Sequence, residues 1–298
     1  MKSVLPVLTV VAAIVVIWYV GTIGMNAQWA RDQAARADTE LSFGELVSDT
    51  MAQERPVLPA PHQVISELYA STIDEELNGR RGLLRSGSLS NRSLIYHGWV
   101  TLSATLLGFV IGTGLGILLA VGITHNRAMD MSVMPWAIAS QTIPILAIAP
   151  MIIVVLNSVG MTGLIPKAII SAYLSFFPVV VGMVKGLRAP DAMQLDLLRT
   201  YNASRGQTFW KLRLPASMPY LFASLKVGFA ASLVGTIVAE LPSGASAGLG
   251  ARLLSGSYYG QTIQIWSALF AAAILAALAL GAIGALERRT LRRMGMAA

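Results

Sequence analysis

The 298-residue chain has no cysteine, which excludes disulfides, Cys-ligated zinc and thiol chemistry. Histidine is nearly as scarce: His62, His97 and His125 are widely spaced and do not suggest a metal site. Charge is also sparse, at 12% of residues, against about 25% in soluble domains. What fills the chain instead is apolar, 55% of all residues, collected into long runs. This is the composition of a polytopic membrane protein, all-α because helices satisfy their own backbone groups in lipid. The net charge of +7 does not point to nucleic acid, because the basic residues sit at the ends of apolar runs.

Six apolar runs are long enough to cross a hydrocarbon core of about 30 Å at 1.5 Å per residue. The first, Val4 to Ile23, reads as a retained anchor, with a cleaved signal peptide as the competing reading. The others cover about 96–123, 134–157, 165–187, 219–240 and 263–286. The expected division is an anchor over 1–24, an external segment over 25–94 and a transmembrane domain over 95–293. The external segment carries ten acids against seven arginines. Within it Val64, Leu68, Tyr69, Ile73 and Leu77 recur at helical spacing, as in a helix lying on the membrane. The stretch from Gly79 to Gly87 reads as a mobile loop, and residues 26–56 also read as no more than a solvated linker.

Several spans carry polar punctuation. Gly108, Gly112 and Gly116 lie four apart, the small-residue stripe that lets two helices approach closely. Ser140-Gln141-Thr142-Ile143-Pro144 interrupts the third span. A proline frees a carbonyl one turn earlier, so this stretch either lines a pathway or is a kink packed against neighbours. In the fifth span Ser232, Thr236 and Glu240 are further pathway candidates, although an acid at a helix end also snorkels to headgroups. The glycine-rich stretch 241–262 is expected to be an external loop in which glycines turn the chain.

The most specific stretch is polar and lies between the fourth and fifth spans, in a loop of about 188–217. Pro190 suits the first turn of a helix, along which Met193, Leu197 and Tyr201 form one apolar stripe. Asn202 is able to take the left-handed conformation that ends it. Ser204 and Gln207 make the S-x-x-Q pattern that starts a second helix, and Pro215 either stops that helix or begins the next segment. This spacing resembles E-A-A-x3-G-x9-I-x-L-P, the signature of binding-protein-dependent ABC importer permeases. Asp196 stands for the Glu, Leu197 and Leu198 for the alanines, Asn202 for the Gly, Leu212 for the Ile, and Leu214-Pro215 for the L-P. A basic amphipathic loop on the lipid headgroups is the plainer alternative.

The resemblance, closest to the nitrate/sulfonate/taurine and pyrimidine-precursor branch, implies a cytoplasmic coupling helix. Its contact residues would be Asp196, Leu197, Leu198, Tyr201, Asn202, Gly206, Phe209, Leu212, Leu214 and Pro215. It further implies a partner ATPase that holds ATP and Mg, a periplasmic or lipid-anchored solute-binding protein, and a second permease copy. The chain itself contains no G-x-x-x-x-G-K-[ST] loop, so neither cofactor nor ATP hydrolysis is expected on it. The orientation agrees. With both termini in the cytoplasm of a bacterial inner membrane, the inner segments collect the short-loop Lys and Arg, and only Lys167 and Arg252 fall in short outer loops. An ion-coupled secondary transporter would need ionisable groups deep in its spans. A membrane scaffold or sensor would need a soluble output domain.

Overall fold

The computed structural model describes residues 4–72, 93–241, 245 and 247–296, and no strand occurs among them. In chain order the helices are α1 (Val4–Arg36), α2 (Phe43–Ala52), α3 (Pro61–Thr72), α4 (Leu94–His125), α5 (Arg127–Ser140) and α6 (Ile145–Ser158). There follow α7 (Leu164–Leu187), α8 (Ala192–Thr200), α9 (Arg205–Thr208), α10 (Leu214–Glu240), α11 (Leu249–Tyr258) and α12 (Thr262–Arg293). Among the described residues five helical stretches are long and apolar enough to cross a membrane, and α5 with α6, bent by 96° at a short break, qualify as a pair. The expected Gly79–Gly87 loop, the Ile73 and Leu77 end of the amphipathic stretch, and Gly244 lie outside the described residues.

The chain forms two compact units. The first comprises residues 1–97 and 251–272. Here α1 has 33 residues, about 50 Å at 1.5 Å per residue, well beyond a hydrocarbon core of about 30 Å. Its C-terminal part is covered by α2, with Ala27, Ala30 and Leu46 forming a small apolar core. At its centre is Asn26, fully buried. Its carbonyl oxygen accepts the N–H groups of Val57 (2.9 Å) and Leu58 (3.2 Å), and its amide donates to the carbonyls of Thr50 (3.2 Å) and Leu58 (2.9 Å). All four hydrogen-bonding capacities of the side chain are used. Residues 26–56 are therefore a folded element and not a solvated linker. Ser42 and Glu45 start α2 with a reciprocal capping box.

The second unit comprises residues 98–250 and 273–298. The glycine stripe of α4 packs on α7. A Cβ at Gly112 would lie 2.7 Å from the Ala172 carbonyl, and one at Gly116 would lie 2.8 Å from Val179 Cβ. One apolar cluster joins Ala120 and Ile123 of α4, Ala137 of α5, and Val179, Val180, Met183 and Leu187 of α7. A second joins Ala149 and Ile153 of α6 to Ile170 of α7 and Ala239 of α10. So α5 packs toward the C-terminal end of α7, where Asp130 pairs with Arg188 at 2.8 Å, and α6 packs toward its N-terminal end. The two helices of the bent pair therefore contact different parts of α7.

One local expectation changes: the glycine-rich stretch after Glu240 contains the helix α11 and is not simply a loop. Of the two readings of Pro215 the second holds, since it lies in the first turn of α10, and the chain runs helical from Arg205 to Glu240 through a wide turn at Phe209–Arg213. In that turn the Leu214 N–H bonds the Phe209 carbonyl, five residues back. A proline lacks the N–H and crowds the carbonyl four residues back; a widened turn just before it relieves both.

Candidate functional site

Three features of the second unit combine unusual backbone with polar chemistry. The first is the α8–α9 elbow at the Arg188 end. Asp191, not Pro190, caps α8, through a capping box with Gln194. At the other end Asn202 has φ +51°. The Ala203 N–H bonds the Leu198 carbonyl at 3.0 Å and the Asn202 N–H bonds the Arg199 carbonyl at 2.8 Å, the paired bonds of a Schellman ending. Ser204 and Gln207 then cap α9 reciprocally. No residue of α8 is buried. Met193, Leu197 and Tyr201 are 78%, 58% and 77% exposed, so a continuous apolar stripe has no cover among the described residues.

The remaining residues expected at this site divide by direction. Asp196 is exposed and pairs with Arg199 at 2.9 Å. Gly206 is exposed, whereas Leu198 and Leu212 are half-buried. Phe209 and Leu214 pack against the α4–α5–α7 cluster, and the Phe209 ring meets His125 edge-on at 5.3 Å. Much of their apolar surface serves the bundle, while Phe209 keeps a part-exposed face beside Arg205 and Gly206. The Arg213 guanidinium donates to the Leu187 carbonyl, tying the root of the elbow to α7.

The second feature lies at the opposite end of α7. Glu240 is fully buried. It accepts hydrogen bonds from Lys167 Nζ (3.2 Å), the Thr101 hydroxyl (3.0 Å) and the Gly250 N–H (2.9 Å). Lys167 also donates to the Ala247 carbonyl at 3.1 Å, and Thr101 accepts the Leu249 N–H at 2.8 Å. A buried acid this well supplied with donors is tolerated because a cation and two further donors surround it. The glycines after it permit the approach: a Cβ at Gly248, where φ is +130°, would collide with the Glu240 carboxylate, and one at Gly250 would lie 2.7 Å from Glu240 Cβ. Below this centre Ser232 donates to the Thr105 carbonyl at 3.0 Å, Thr105 donates to Thr236 at 3.0 Å, and Ser171 bonds Ser232. Ser232, Thr236 and Glu240 are all sealed between α4, α7 and α10. They join helices and face no pathway, contrary to the expectation for them.

The third feature is the break between α5 and α6. Tyr173 donates its hydroxyl to the Ser140 carbonyl, which sets the break about 14 Å along a helix of about 36 Å at 1.5 Å per residue. That is mid-depth. Ser140 is buried, but Thr142 and Pro144 are exposed and Gln141 is half-exposed. Sequence reasoning found this break from its proline and polar residues. It missed Lys167 and Thr101 as partners of Glu240, and Asn26 altogether.

Residues 112–293 match the family described as binding-protein-dependent transport system inner membrane component. The chain is 30% identical over 173 residues to the "probable ABC transporter permease protein" of Haemophilus influenzae, covering 58% of this chain and 69% of that one. It is 26% identical over 243 residues to the formylaminopyrimidine transport permease protein ThiX of Halalkalibacterium halodurans, covering 81% and 87% of the two chains. With the riboflavin transport system permease protein RibX of Chloroflexus aurantiacus it shares 29% identity over 205 residues, 69% and 75% of the two. The family match contains all three features apart from Thr101 and Thr105.

Proposed function

The chain belongs to the binding-protein-dependent inner membrane components of ABC importers, in their nitrate/sulfonate/taurine branch, and from that premise we propose how it performs its part of import. It is the permease subunit. The α8–α9 elbow is its coupling element, received by a separate ATPase subunit that holds ATP and Mg and carries out hydrolysis. The observation that carries this reading is the uncovered Met193–Leu197–Tyr201 stripe on a helix with both ends capped. A rigid helix presenting a bare apolar stripe is built for a protein groove. Leu197 and Tyr201 supply the apolar contact, and Asp196 offers a charge beside them. Its pairing with Arg199 is exposed, and such pairs contribute only about 0–1 kcal/mol, so a partner's basic group readily competes.

Arg213, Phe209 and Leu214 root the elbow in α7 and its neighbours. A push on the elbow is therefore delivered to the bundle as a whole, which moves by alternating access. The working assembly contains a second copy of this chain, two ATPases and an external solute-binding protein, in the bacterial inner membrane with both termini cytoplasmic. The transmembrane domain spans 95–293, with 25–94 external after the anchor. The solute is a small organic or oxyanionic compound handed over by the binding protein, and Ser140, Gln141, Thr142 and Pro144 lie beside its route. ATP drive in preference to ion coupling is supported by the internal pairing of the ionisable groups in the spans, Lys167 with Glu240 and Lys226 with Glu287.

The test is Leu197→Asp. Membrane insertion and thermal stability should be retained, while copurification of the ATPase and uptake are lost. Copurification at the level of the unaltered chain would count against the docking role.

A further inference from the structure

A groove at the C-terminal end of α4 has no part in the coupling role. Val121 and His125 of α4 face Arg205, Gly206 and Phe209 of the elbow across a cavity of about 230 Å³. The His125 Nδ1 donates to the Val121 carbonyl at 2.8 Å, which leaves Nε2 as the ring atom able to meet a ligand. The acids of this end are engaged elsewhere, Asp130 by Arg188 and Asp196 by Arg199. The Arg205 guanidinium is exposed and has no partner among the described residues, and the same holds for the side chains of Arg127 and Lys211. Trp210, also exposed, meets the Phe209 ring edge-on at 5.3 Å.

The groove continues along α4 as an apolar stripe. Leu107, Ile111, Gly114, Leu118, Val121 and His125 are spaced four and three apart and so lie on one face of the helix. Leu107, Ile111 and Leu118 are exposed, and a Cβ at Gly114 would meet nothing within 4 Å. From Leu107 to Val121 the stripe is about 21 Å long at 1.5 Å per residue. One leaflet's share of the hydrocarbon core is shorter, about 15 Å. No ionisable residue lies between His97 and His125. That stretch of about 40 Å exceeds the whole core, so His125 marks its edge. An exposed indole beside basic residues belongs at the same level.

We propose that groove and stripe together hold one anionic phospholipid, its acyl chain along α4 and its phosphate on the Arg205 guanidinium. The chemistry matches at both ends. A planar guanidinium takes two phosphate oxygens at once, and the uncompensated charge of Arg127 and Lys211 attracts a negative headgroup. The stripe gives an acyl chain apolar contact through a full leaflet. A protein in the cytoplasm would reach the groove but not Leu107, Ile111 and Leu118, which is why a lipid fits better than the ATPase. A lipid seated there ties α4 to the start of the helix that carries the elbow, so the headgroup composition of that leaflet regulates the permease. The site is separate from the Met193–Leu197–Tyr201 stripe and does not depend on what docks there.

The test uses the complete transporter in phosphatidylcholine nanodiscs and a phosphatidylglycerol that carries a photoactivatable group in its acyl chain. Adducts are mapped by mass spectrometry. The expected result is adducts on α4 between Leu107 and Val121, displaced by unlabelled phosphatidylglycerol but not by phosphatidylcholine or inorganic phosphate. Arg205→Gln should raise the phosphatidylglycerol content needed for half-maximal labelling about tenfold, the factor that one charge-assisted hydrogen bond sustains. Arg205→Lys, which keeps the charge, should raise it less. Equal labelling of Arg205→Gln and the unaltered chain, or equal competition by phosphatidylcholine, shows only general lipid contact and overturns the headgroup site. Displacement by inorganic phosphate assigns the guanidinium to a soluble anion and overturns it too. No adduct on α4 means that the ATPase or the second copy covers the stripe, and the proposal fails.

Discussion

Lys167 and Glu240, 73 residues apart in the chain, meet at 3.2 Å inside the helical bundle. Each alone looks like a charge at the end of a span. Together with Thr101 and the turn at Ala247–Gly250 they close one end of the second unit. Their roles are unequal. Without the lysine, the carboxylate still receives the Thr101 hydroxyl and the Gly250 N–H. Without the glutamate, the lysine retains only the Ala247 carbonyl and two donors lose their acceptor. Glu240→Ala should therefore destabilise the purified protein by about 3–5 kcal/mol and Lys167→Met by less. Denaturant titration in detergent, following α-helical signal, measures both.

The glycine stripe of α4 separates packing from propensity. Gly112→Ala forces a methyl against the Ala172 carbonyl and Ser175, whereas a Cβ at Gly114 meets nothing within 4 Å. Overpacking should cost the first variant about 1–3 kcal/mol. The second should be neutral or gain up to about 1 kcal/mol from helix propensity. The same titration distinguishes them, and equal losses would contradict the assigned contact with α7.

At Asn202 the backbone has a positive φ. Asn202→Gly should preserve uptake and stability, since glycine adopts this conformation freely. Asn202→Val should strain the turn by about 1–2 kcal/mol and reduce uptake, with membrane insertion unchanged. Uptake assays on vesicles containing equal amounts of permease provide the comparison.

In the first unit, hydrogen bonds from Ser42, the side-chain one foremost, hold the Glu45 carboxyl below its usual value of 4.5. A depressed carboxylate stabilises the folded form above the unfolded value, and the contribution is lost as pH falls through the folded value. The protection factors of amides in the first turn of α2, taken relative to the intrinsic exchange rate at each pH, should fall as pH drops below 4.5, and Glu45→Gln should weaken that dependence. An unchanged profile in Glu45→Gln would remove the capping box as its cause.

Much of the α8–α9 elbow is readable from local chemistry alone. Asn202, Ser204 and Gln207 act within a few residues of themselves, so their conformations follow from residue type and spacing. The glycine stripe is equally readable, because its period shows which face it occupies. Asn26 is different: its four partners come from residues 50–58, and nothing around position 26 announces them. The helix α11 was hidden by its glycines, which look like turn formers until Glu240 is placed beneath Gly248 and Gly250. Ser232 and Thr236 misled for the same reason. Periodicity locates a polar residue on a helix, but only the neighbouring helices decide whether it meets another hydroxyl or a passage.

The central claim, that the α8 stripe meets a second protein in the cytoplasm, is tested most directly with a single thiol at Tyr201→Cys. A membrane-impermeant maleimide is applied to inverted and right-side-out vesicles, with and without the ATPase subunit. The account predicts labelling only in inverted vesicles and its suppression once the ATPase is assembled. Labelling from the outside, or equal labelling with and without the ATPase, would contradict it.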